Sequence, residues 1–228
     1  MAGLNERGAR AGEGGVLPPA GRGAVVVAHP DDETLWAGGV VLMHPRWDWT
    51  VVTLCRASDA DRAPRFRRAL QRLGAAGAMG DLDDGPEQTP LADEEVRGAV
   101  LSLLPDTRFD LVLTHGPDGE YTRHRRHEEV SEAVGALCAA GGLCAGALWL
   151  FAYEDAGGRR LPRPRRDAHC RIALADDVWR AKRSIVTETY GFGPDSFEAR
   201  AAPRTEAFWC FGCAADYEAW CAERGKGA

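Results

Sequence analysis

No stretch of the 228 residues approaches the roughly 20 consecutive apolar residues that a membrane-spanning helix needs. The first residues, MAGLNERGARAGEGGVLPPAGRG, also lack the apolar core of a signal peptide. Basic charge is not in excess, because 28 Lys and Arg face 34 Asp and Glu, for a net charge of -6. Nucleic-acid binders usually carry a basic face, so the sequence argues against a nucleic-acid partner as well as against a membrane span.

Cysteine is scattered and odd in number, with seven residues in the chain. An odd count without an export signal predicts reduced, mostly buried thiols and a cytoplasmic location. Cys210 and Cys213 form a CxxC pair. A single such pair is a weak zinc signal, and we expect both residues to serve packing.

The remaining composition, 45% hydrophobic and 27% charged, is that of an ordinary globular protein. Residues 1–22 are rich in Gly, Ala, Arg and Pro and predict a disordered lead-in, followed by one domain over residues 23–228. Strand-like and helix-like segments alternate: AVVVAH, TLWAGGVVLMH, WTVVTLC, APRFRRALQRLGA, FDLVLTHG and RHEEVSEAVGALCAAG. This rhythm predicts an α/β fold, Rossmann-like, with a mostly parallel sheet and helices on both faces.

The segment after Glu154 is less regular. Only RIALA, as a strand, and DDVWRAKRSIVTETY, as a helix, are predicted there. The basic stretch 158–166, GRRLPRPRR, is expected to be an exposed loop, with a mobile lid as the alternative.

Two polar clusters follow predicted strands. AHPDDE comes directly after the first strand, and THGPDGEYTRHRRHEE overlaps the end of the strand FDLVLT. In open α/β sheets ligands bind beyond the carboxyl ends of the strands, near the switch in strand order. We therefore expect the two clusters to meet at one edge of the sheet.

The residue types in these clusters suit a metal-dependent hydrolase. His29 and Asp32 share a tight turn, and His127 follows at a helix start. Two histidines and one carboxylate form an open zinc site with a position left for water, so we predict these three residues as ligands. Asp31 is then a general base that takes a proton from zinc-bound water. His124, if protonated, can stabilise the oxyanion and help protonate the leaving amine.

Helix capping is the alternative for the carboxylates, since Asp31, Asp32 and Thr34 can all accept bonds from free N–H groups. It does not account for His29, which caps nothing.

The other histidines give weaker signals. His44 and His169 are predicted to be structural. His115 ends a strand at the active edge and is left open between a site residue and a bond to the adjacent turn.

AHPDDE after the first strand and GEYTRHRRH after a later one resemble the motifs of the PIG-L/LmbE-type zinc-dependent N-deacetylases. The resemblance covers about residues 24–153. These enzymes deacetylate N-acetylglucosaminyl lipids, sugar–inositol thiol precursors and aminoglycoside or glycopeptide intermediates. The resemblance therefore implies removal of an N-acetyl group from a small amino sugar or glycoconjugate.

Residue by residue, the family assigns metal binding to His29, Asp32 and His127, the general base to Asp31, and an electrostatic or acid role to His124. This assignment coincides with the one reached from the chemistry of the side chains.

Substrate contacts are assigned more loosely. Arg62 matches the family arginine that contacts substrate. Tyr121 stands three residues before His124, where the family places its tyrosine two residues before. Asp84 lies on a segment that should border the cleft. We predict these three residues, Arg62, Tyr121 and Asp84, as substrate contacts.

The chain departs from the family pattern at two further places. Arg65 stands where a glutamate is usual, and Arg125 and Arg126 replace the usual Pro-Asp inside HxxH. We expect both of the latter arginines to face solvent.

Other functions share this ligand set. Two histidines and one carboxylate also form the facial triad of iron(II) oxygenases, although those enzymes usually have a β-barrel scaffold. Zn²⁺ is the predicted metal, and Fe²⁺ is the alternative metal for a hydrolase. A non-catalytic metal-binding relative is the third possibility. The substrate and the oligomeric state are not predicted.

Overall fold

The computed structural model describes residues 17–122 and 124–225. Within these ranges the strands are β1 (Arg22–Val27), β2 (Asp48–Thr53), β3 (Ala76–Met79), β4 (Arg108–Phe109), β5 (Leu111–Thr114), β6 (Cys144–Ala145), β7 (Leu148–Phe151), β8 (Tyr153–Glu154), β9 (Arg163–Pro164), β10 (Cys170–Ala173) and β11 (Thr205–Phe211). The helices described are α1 (Asp32–Met43), α2 (Arg62–Leu73), α3 (Asp93–Leu103), α4 (Arg125–Ala139), α5 (Asp176–Ser184), α6 (Phe197–Ala201) and α7 (Ala214–Gly225).

One sheet of seven strands has the order β10-β11-β7-β5-β1-β2-β3. The strands from β7 to β3 are parallel, and β11 is antiparallel to both of its neighbours. The predicted α/β fold, a single domain with a mostly parallel sheet, is therefore confirmed.

Helices flank the sheet in two groups. One group joins α1 to α2 and α5, and the other joins α4 to α3 and α7. Both α1 and α4 contact β1, whose residues Val25, Val26 and Val27 are completely buried. A central parallel strand has no solvated face, which explains why its sequence is a continuous apolar run rather than an alternation.

The strand order reverses at β1. The chain proceeds from β1 to β2 and β3 on one side, whereas β5 and β7 lie on the other side. The switch point thus falls between the carboxyl ends of β1 and β5, where both polar clusters follow.

The second half of the chain contains elements that the sequence pattern did not predict. β11 enters between β7 and β10, and α7 follows it. RIALA forms β10 as predicted. The predicted helix after it forms α5, but its last part, Ile185–Thr189, widens into a π-helical turn that ends beside Tyr190. The stretch 158–166 includes β9, which pairs with β8 in a short antiparallel ribbon.

The predicted lead-in falls partly outside the described residues, since residues 1–16 are not described. Leu17 is buried in the core, and Pro18 accepts a hydrogen bond of 2.8 Å from the indole of Trp47. Among the described residues, no helix combines the length and the apolarity that crossing a bilayer requires.

All seven cysteines lie in the described ranges as free thiols. Cys55, Cys138 and Cys170 are buried, while Cys213 is exposed and Cys210 is only partly buried. Cys221 is also partly buried, and Cys144 is exposed. The prediction of mostly buried thiols is therefore wrong for Cys144 and Cys213, and the packing role expected of the CxxC pair fits Cys210 but not the exposed Cys213.

Candidate active site

The two polar clusters meet where β1 and β5 end. These strands are parallel neighbours, with Val26 opposite Thr114. His29, Asp31 and Asp32 follow β1, and the segment after β5 leads to His127 in the first turn of α4. Adjacent parallel strands deliver their following loops to the same edge of the sheet, so the topology itself joins residues that are almost a hundred positions apart in sequence.

Three atoms of metal-ligand type converge at this edge. Nδ1 of His29 lies 3.2 Å from Oδ2 of Asp32 and 3.2 Å from Nε2 of His127, and the third side of the triangle, from His127 to Asp32, is 3.3 Å. A tetrahedral ion with bonds of about 2.0–2.1 Å needs ligand atoms about 3.3 Å apart. The predicted ligand set therefore has the spacing that a zinc ion requires.

Carboxylates fix the outer ring nitrogens of both histidines. Asp84 Oδ1 lies 3.1 Å from Nε2 of His29, and Glu120 Oε2 lies 2.7 Å from Nδ1 of His127. A carboxylate needs a donor at these positions, so each outer nitrogen carries a proton. In a neutral ring the other nitrogen, which we call the inner one, then directs a lone pair toward Asp32. The inner nitrogens are Nδ1 of His29 and Nε2 of His127. The two inner nitrogens and Oδ2 of Asp32 are then three acceptor atoms that face and repel one another. A positive charge between them would relieve this repulsion.

The titration behaviour of the same groups reflects this requirement. Burial disfavours the charged form of His127, but the Asp32 and Glu120 carboxylates outweigh it and raise its pKa to about 10. The pKa of His29 is likewise raised, since hydrogen bonds to Asp32 and Asp84 overcome its burial. Burial would raise the pKa of Asp32, yet the neighbouring histidines lower it well below the usual range. A proton or a metal ion can supply the charge that the carboxylates demand.

His115 lies beside this triangle, but both of its nitrogens are engaged. Nε2 accepts the backbone N–H of Ala28 at 2.9 Å, and Nδ1 lies 2.9 Å from Glu120 Oε2. Burial and the neighbouring His127 lower the pKa of His115, which favours its neutral form. Both nitrogens of His115 are thus engaged, and in this arrangement the ring holds Glu120, which in turn bonds to His127.

Asp31 has a strained backbone, with φ 121° and ψ -29°. Conformations of this kind cost a residue with a side chain about 1–3 kcal/mol and occur mostly at functional sites. Asp31 occupies the N-cap position of α1, but its side chain makes no capping hydrogen bond. Its Oδ2 instead accepts a bond of 3.2 Å from Nη1 of Arg62. Helix capping therefore does not explain this carboxylate.

The electrostatic setting of Asp31 favours proton uptake. Burial, followed by the charges of Asp32 and Glu33, raises the pKa of Asp31 well above its usual range, and Arg62 opposes this shift. A raised pKa makes the ionised carboxylate a stronger proton acceptor.

His124 lies immediately before α4, with its ring stacked on that of His127 at 4.5 Å between centroids. Burial, together with the neighbouring His127 and His29, lowers the pKa of His124 to about 4. The ring is therefore neutral at pH 7, which differs from the protonated form considered from the sequence. Its buried Nδ1 has no hydrogen-bond partner among the described residues.

The sequence profile of the family PIG-L: GlcNAc-PI de-N-acetylase matches residues 24–138, just over half of the chain and the part that carries this geometry. The chain belongs to the PIG-L family.

A curated PIG-L relative, the 1D-myo-inositol 2-acetamido-2-deoxy-alpha-D-glucopyranoside deacetylase of Corynebacterium kroppenstedtii, is 30% identical to the chain. The match covers 48% of this chain and 39% of that protein, so the chain spans well under half of the relative's length.

Two solved structures share the fold at low sequence identity. The N,N'-diacetylchitobiose deacetylase of Pyrococcus horikoshii has a TM-score of 0.60 and 14% identity, covering 84% of each chain. GalB, the 4-carboxy-2-hydroxymuconate hydratase of Pseudomonas putida KT2440, has a TM-score of 0.56 and 16% identity, covering 83% of this chain and 94% of its own. These likenesses establish the fold, which a deacetylase and a hydratase evidently share.

In this PIG-L chain a cleft of about 370 Å³ opens beside the triangle of His29, Asp32 and His127. That volume is within the range of about 300–1,000 Å³ typical of small-molecule sites. Its lining residues are His29, Pro30, Asp31, Arg56, Asp59, Arg62, Asp84, Tyr121 and His124.

All three predicted substrate contacts line this cleft, but they differ in whether their polar atoms already have a partner. Both oxygens of Asp84 are engaged, by His29 and by Arg56 Nε at 2.8 Å, so its geometry suits orientation of His29. Arg62 donates to Asp31 and lies over the ring of Phe192. Burial raises the pKa of Tyr121, and its hydroxyl therefore remains a hydrogen-bond donor. Direct contact of these residues with substrate stays a prediction.

The expectation that both arginines inside HxxH face solvent is wrong for Arg126. Arg125 is exposed, but Arg126 is 1% exposed. Its guanidinium donates to the backbone oxygens of Asp83 and Thr89 and forms an ion pair of 2.5 Å with Glu129. Arg126 thus connects the loop that carries Asp84 to α4. This structural role requires the side chain to be buried.

Substituting Arg126 by methionine is expected to lower the free energy of unfolding by about 3 kcal/mol, because Glu129 and two loop carbonyls lose their donor. Urea denaturation measures this loss. The adjacent Arg125→Met is the matched control, with an expected effect within about 0.5 kcal/mol. Equal stability of the two variants would contradict the bridging role of Arg126.

Proposed function

We propose that this PIG-L chain is a zinc-dependent hydrolase that removes the N-acetyl group from an amino sugar or sugar conjugate. The observation that carries the proposal is the convergence of three ligand atoms, from His29, Asp32 and His127, beside the strained and uncapped Asp31. Backbone strain of the kind found at Asp31 clusters at active sites, and here it lies next to three atoms that together favour a cation.

His29, Asp32 and His127 would hold the metal through the three inner atoms described above. A bound zinc ion would lower the pKa of water toward about 7 and polarise the amide carbonyl. The outer contacts to Asp84 and Glu120 keep each imidazole in the tautomer that presents its inner lone pair.

Asp31 would accept a proton from the attacking water and pass one to the departing amine nitrogen. Its Oδ2 is held by Arg62, while Oδ1 has no hydrogen-bond partner among the described residues and can receive the proton. Water adds to the acetyl carbon, the C–N bond breaks, and the products are acetate and a primary amine.

Neutral donors would stabilise the oxyanion that forms on the acetyl oxygen. His124 can donate one ring N–H, and Tyr121, which also lines the cleft, has its ring centroid 6.3 Å from that of His124. Hydrogen bonds of this kind, directed at developing charge in a site removed from bulk water, are among the larger contributions to catalysis.

Both the deacetylase from Corynebacterium kroppenstedtii and the chitobiose deacetylase are named for N-acetylated sugars. This supports a small N-acetylated sugar or glycoconjugate, such as an N-acetylglucosamine derivative, as the substrate. Fe²⁺ is the second candidate metal for the same residues. Oxygenase chemistry is disfavoured because the scaffold is an α/β sheet. A reducing compartment such as the cytoplasm is the proposed location, on the ground of the odd number of scattered cysteines in the sequence.

Zinc-loaded protein is expected to release acetate and a free amine from at least one member of a panel of N-acetylated sugars, sugar lipids and glycosylated metabolites. Both products are quantified, together with oxygen consumption. An oxygen-dependent reaction would indicate the oxygenase. Retention of zinc without turnover of any panel member would favour a binding protein.

A further inference from the structure

The backbone of Asp31 is held in its unusual conformation by an identifiable contact. At φ 121° a residue with a Cβ is strained, yet the backbone N–H of Asp31 donates a hydrogen bond of 2.9 Å to Oε2 of Glu33. Because φ is a rotation about the N–Cα bond, capture of this N–H fixes the direction in which the Asp31 side chain leaves the backbone.

Glu33 is itself held from a distant part of the chain. Its carboxylate is 1% exposed, and Oε1 accepts hydrogen bonds from the Tyr190 hydroxyl at 2.8 Å and from Oγ1 of Thr34 at 2.5 Å. Tyr190 follows the π-helical turn Ile185–Thr189, and its backbone oxygen accepts a bond from Arg65. Short π-helical turns inside helices are frequent at functional sites, where they redirect a side chain.

We propose that Glu33 and Tyr190 are positioning residues for Asp31, with Tyr190 acting through Glu33 and Glu33 acting through the backbone N–H of residue 31. The proposal rests on the proposed function, since it assigns these residues to the base of that reaction. The anchor prevents residue 31 from relaxing into an ordinary N-cap conformation. In that conformation an aspartate side chain turns back to the free N–H groups of its helix and away from the cleft.

The anchor also explains the departure of this chain from the family pattern at Arg65. Arg65 Nε pairs with Asp61 at 2.7 Å, while its Nη1 reaches the backbone of Tyr190. The arginine therefore joins α2 to the segment that presents the tyrosine hydroxyl. A glutamate at position 65 has no hydrogen-bond donor for that carbonyl.

Tyr190→Phe tests the proposal because it removes one hydroxyl and leaves the ring in place. We expect kcat to fall by between about 10- and 100-fold, the order of effect that small misplacement of a catalytic group produces. KM and zinc content should remain within about twofold, since no metal-ligand atom changes and the base acts in the transition state rather than in substrate binding. Exchange of the Asp31 amide hydrogen should become faster, which NMR or mass spectrometry detects without any turnover.

A double-mutant cycle separates positioning from general support of the fold. In an Asp31→Asn background, Tyr190→Phe should have no further effect on the residual kcat, because the group that it positions is already absent. Tyr153→Phe is the matched control: it is another buried tyrosine, and its hydroxyl accepts the Ala207 N–H at 3.2 Å. It should leave kcat unchanged.

Glu33→Gln should retain most of the kcat, because an amide oxygen still accepts the Asp31 N–H, whereas Glu33→Ala should lose it. The proposal is overturned if Tyr190→Phe turns over like the wild type, or if its loss of kcat is equally large in the Asp31→Asn background. Absence of acetate release from the wild-type protein would instead count against the proposed function. The proposal would then be decided by amide exchange alone: unchanged protection of the Asp31 N–H in Tyr190→Phe overturns it.

Discussion

Replacing Asp31 by asparagine is expected to lower kcat for acetate release by about 10²- to 10⁴-fold, which is the usual contribution of general-base catalysis. Asparagine keeps the size of the side chain and an acceptor for Arg62, but it cannot take up the proton. Asp31 supplies none of the three converging ligand atoms, so zinc content should match that of the wild type. The loss should fall on kcat rather than KM, because the base acts in the transition state.

The matched control for this substitution is Asp176→Asn. Asp176 also stands at the beginning of a helix, α5, and it also pairs with an arginine, Arg204, at 2.6 Å. Its side chain is 68% exposed and is not part of the cleft lining. Steady-state kinetics and metal analysis on the same preparations distinguish the two variants. Near-normal turnover of Asp31→Asn would mean that a different group accepts the proton.

The location of the site could be predicted from the sequence because it follows from strand order. The apolar run that precedes His29 indicated a buried central strand, and the polar segment after FDLVLT indicated a second strand end. The pairing of β1 with β5 then brings the two segments together. Local pattern and a general property of parallel sheets were enough to predict the ligand triangle that the geometry supports.

The partners of those ligands could not be predicted from the same pattern. Glu120 accepts from both His115 and His127, but in the sequence it is one acidic residue after a GPDG turn. Asp84 reaches His29 across fifty-five positions of sequence. An acidic loop residue is most often solvated, and only the tertiary fold shows that an imidazole nitrogen faces it. The Glu at the end of GPDGE was the one local signal available.

The backbone conformation of Asp31 is a second feature that could not be predicted from the sequence. Asp is a favoured N-cap residue, so its position before α1 predicts a capping bond that the structure does not contain. The contact that overrides this preference comes through Glu33 from Tyr190, a residue of the irregular second half. Strain of this kind depends on distant groups and has no signature in a short stretch of sequence.

β11 was missed for a different reason. The segment TEAFWCF has the apolar and aromatic residues of a buried strand and is bounded by Pro203 and Gly212. It lies after a helix yet runs antiparallel to β7, which the regular β-α-β alternation does not predict. A run of strand formers between two turn residues was the signal that could have identified it.

Replacing His29, Asp32 or His127 by alanine is expected to remove most of the bound zinc, because three protein ligands leave no redundancy. Metal content after dialysis against a weak chelator measures the effect, and acetate release should fall to background together with it. His44→Ala serves as the control: His44 bonds to the backbone of Val40 at the end of α1 and should leave zinc binding unchanged.

The pattern of zinc loss across four variants, at His29, Asp32, His124 and His127, distinguishes this ligand set from its neighbours. His29, His124 and His127 also lie close enough to share an ion, and so do Asp32, His115 and His127. The first of these alternatives requires zinc loss in His124→Ala and retention in Asp32→Ala, whereas the second requires retention in His29→Ala. Near-stoichiometric zinc in His127→Ala would contradict all three sets.

Substitution of Glu120 should weaken zinc binding less than substitution of a ligand does, since Glu120 orients His127 without contributing a ligand atom. Substitutions at carboxylates that hold a metal-binding histidine typically cost about 10- to 100-fold in metal affinity. Glu120→Gln keeps an oxygen for the Nδ1–H of His127 and should show the smaller loss of zinc affinity. Glu120→Ala should show the larger loss. Complete loss of zinc in Glu120→Gln, equal to that of His127→Ala, would mean that the carboxylate charge itself is part of the metal site.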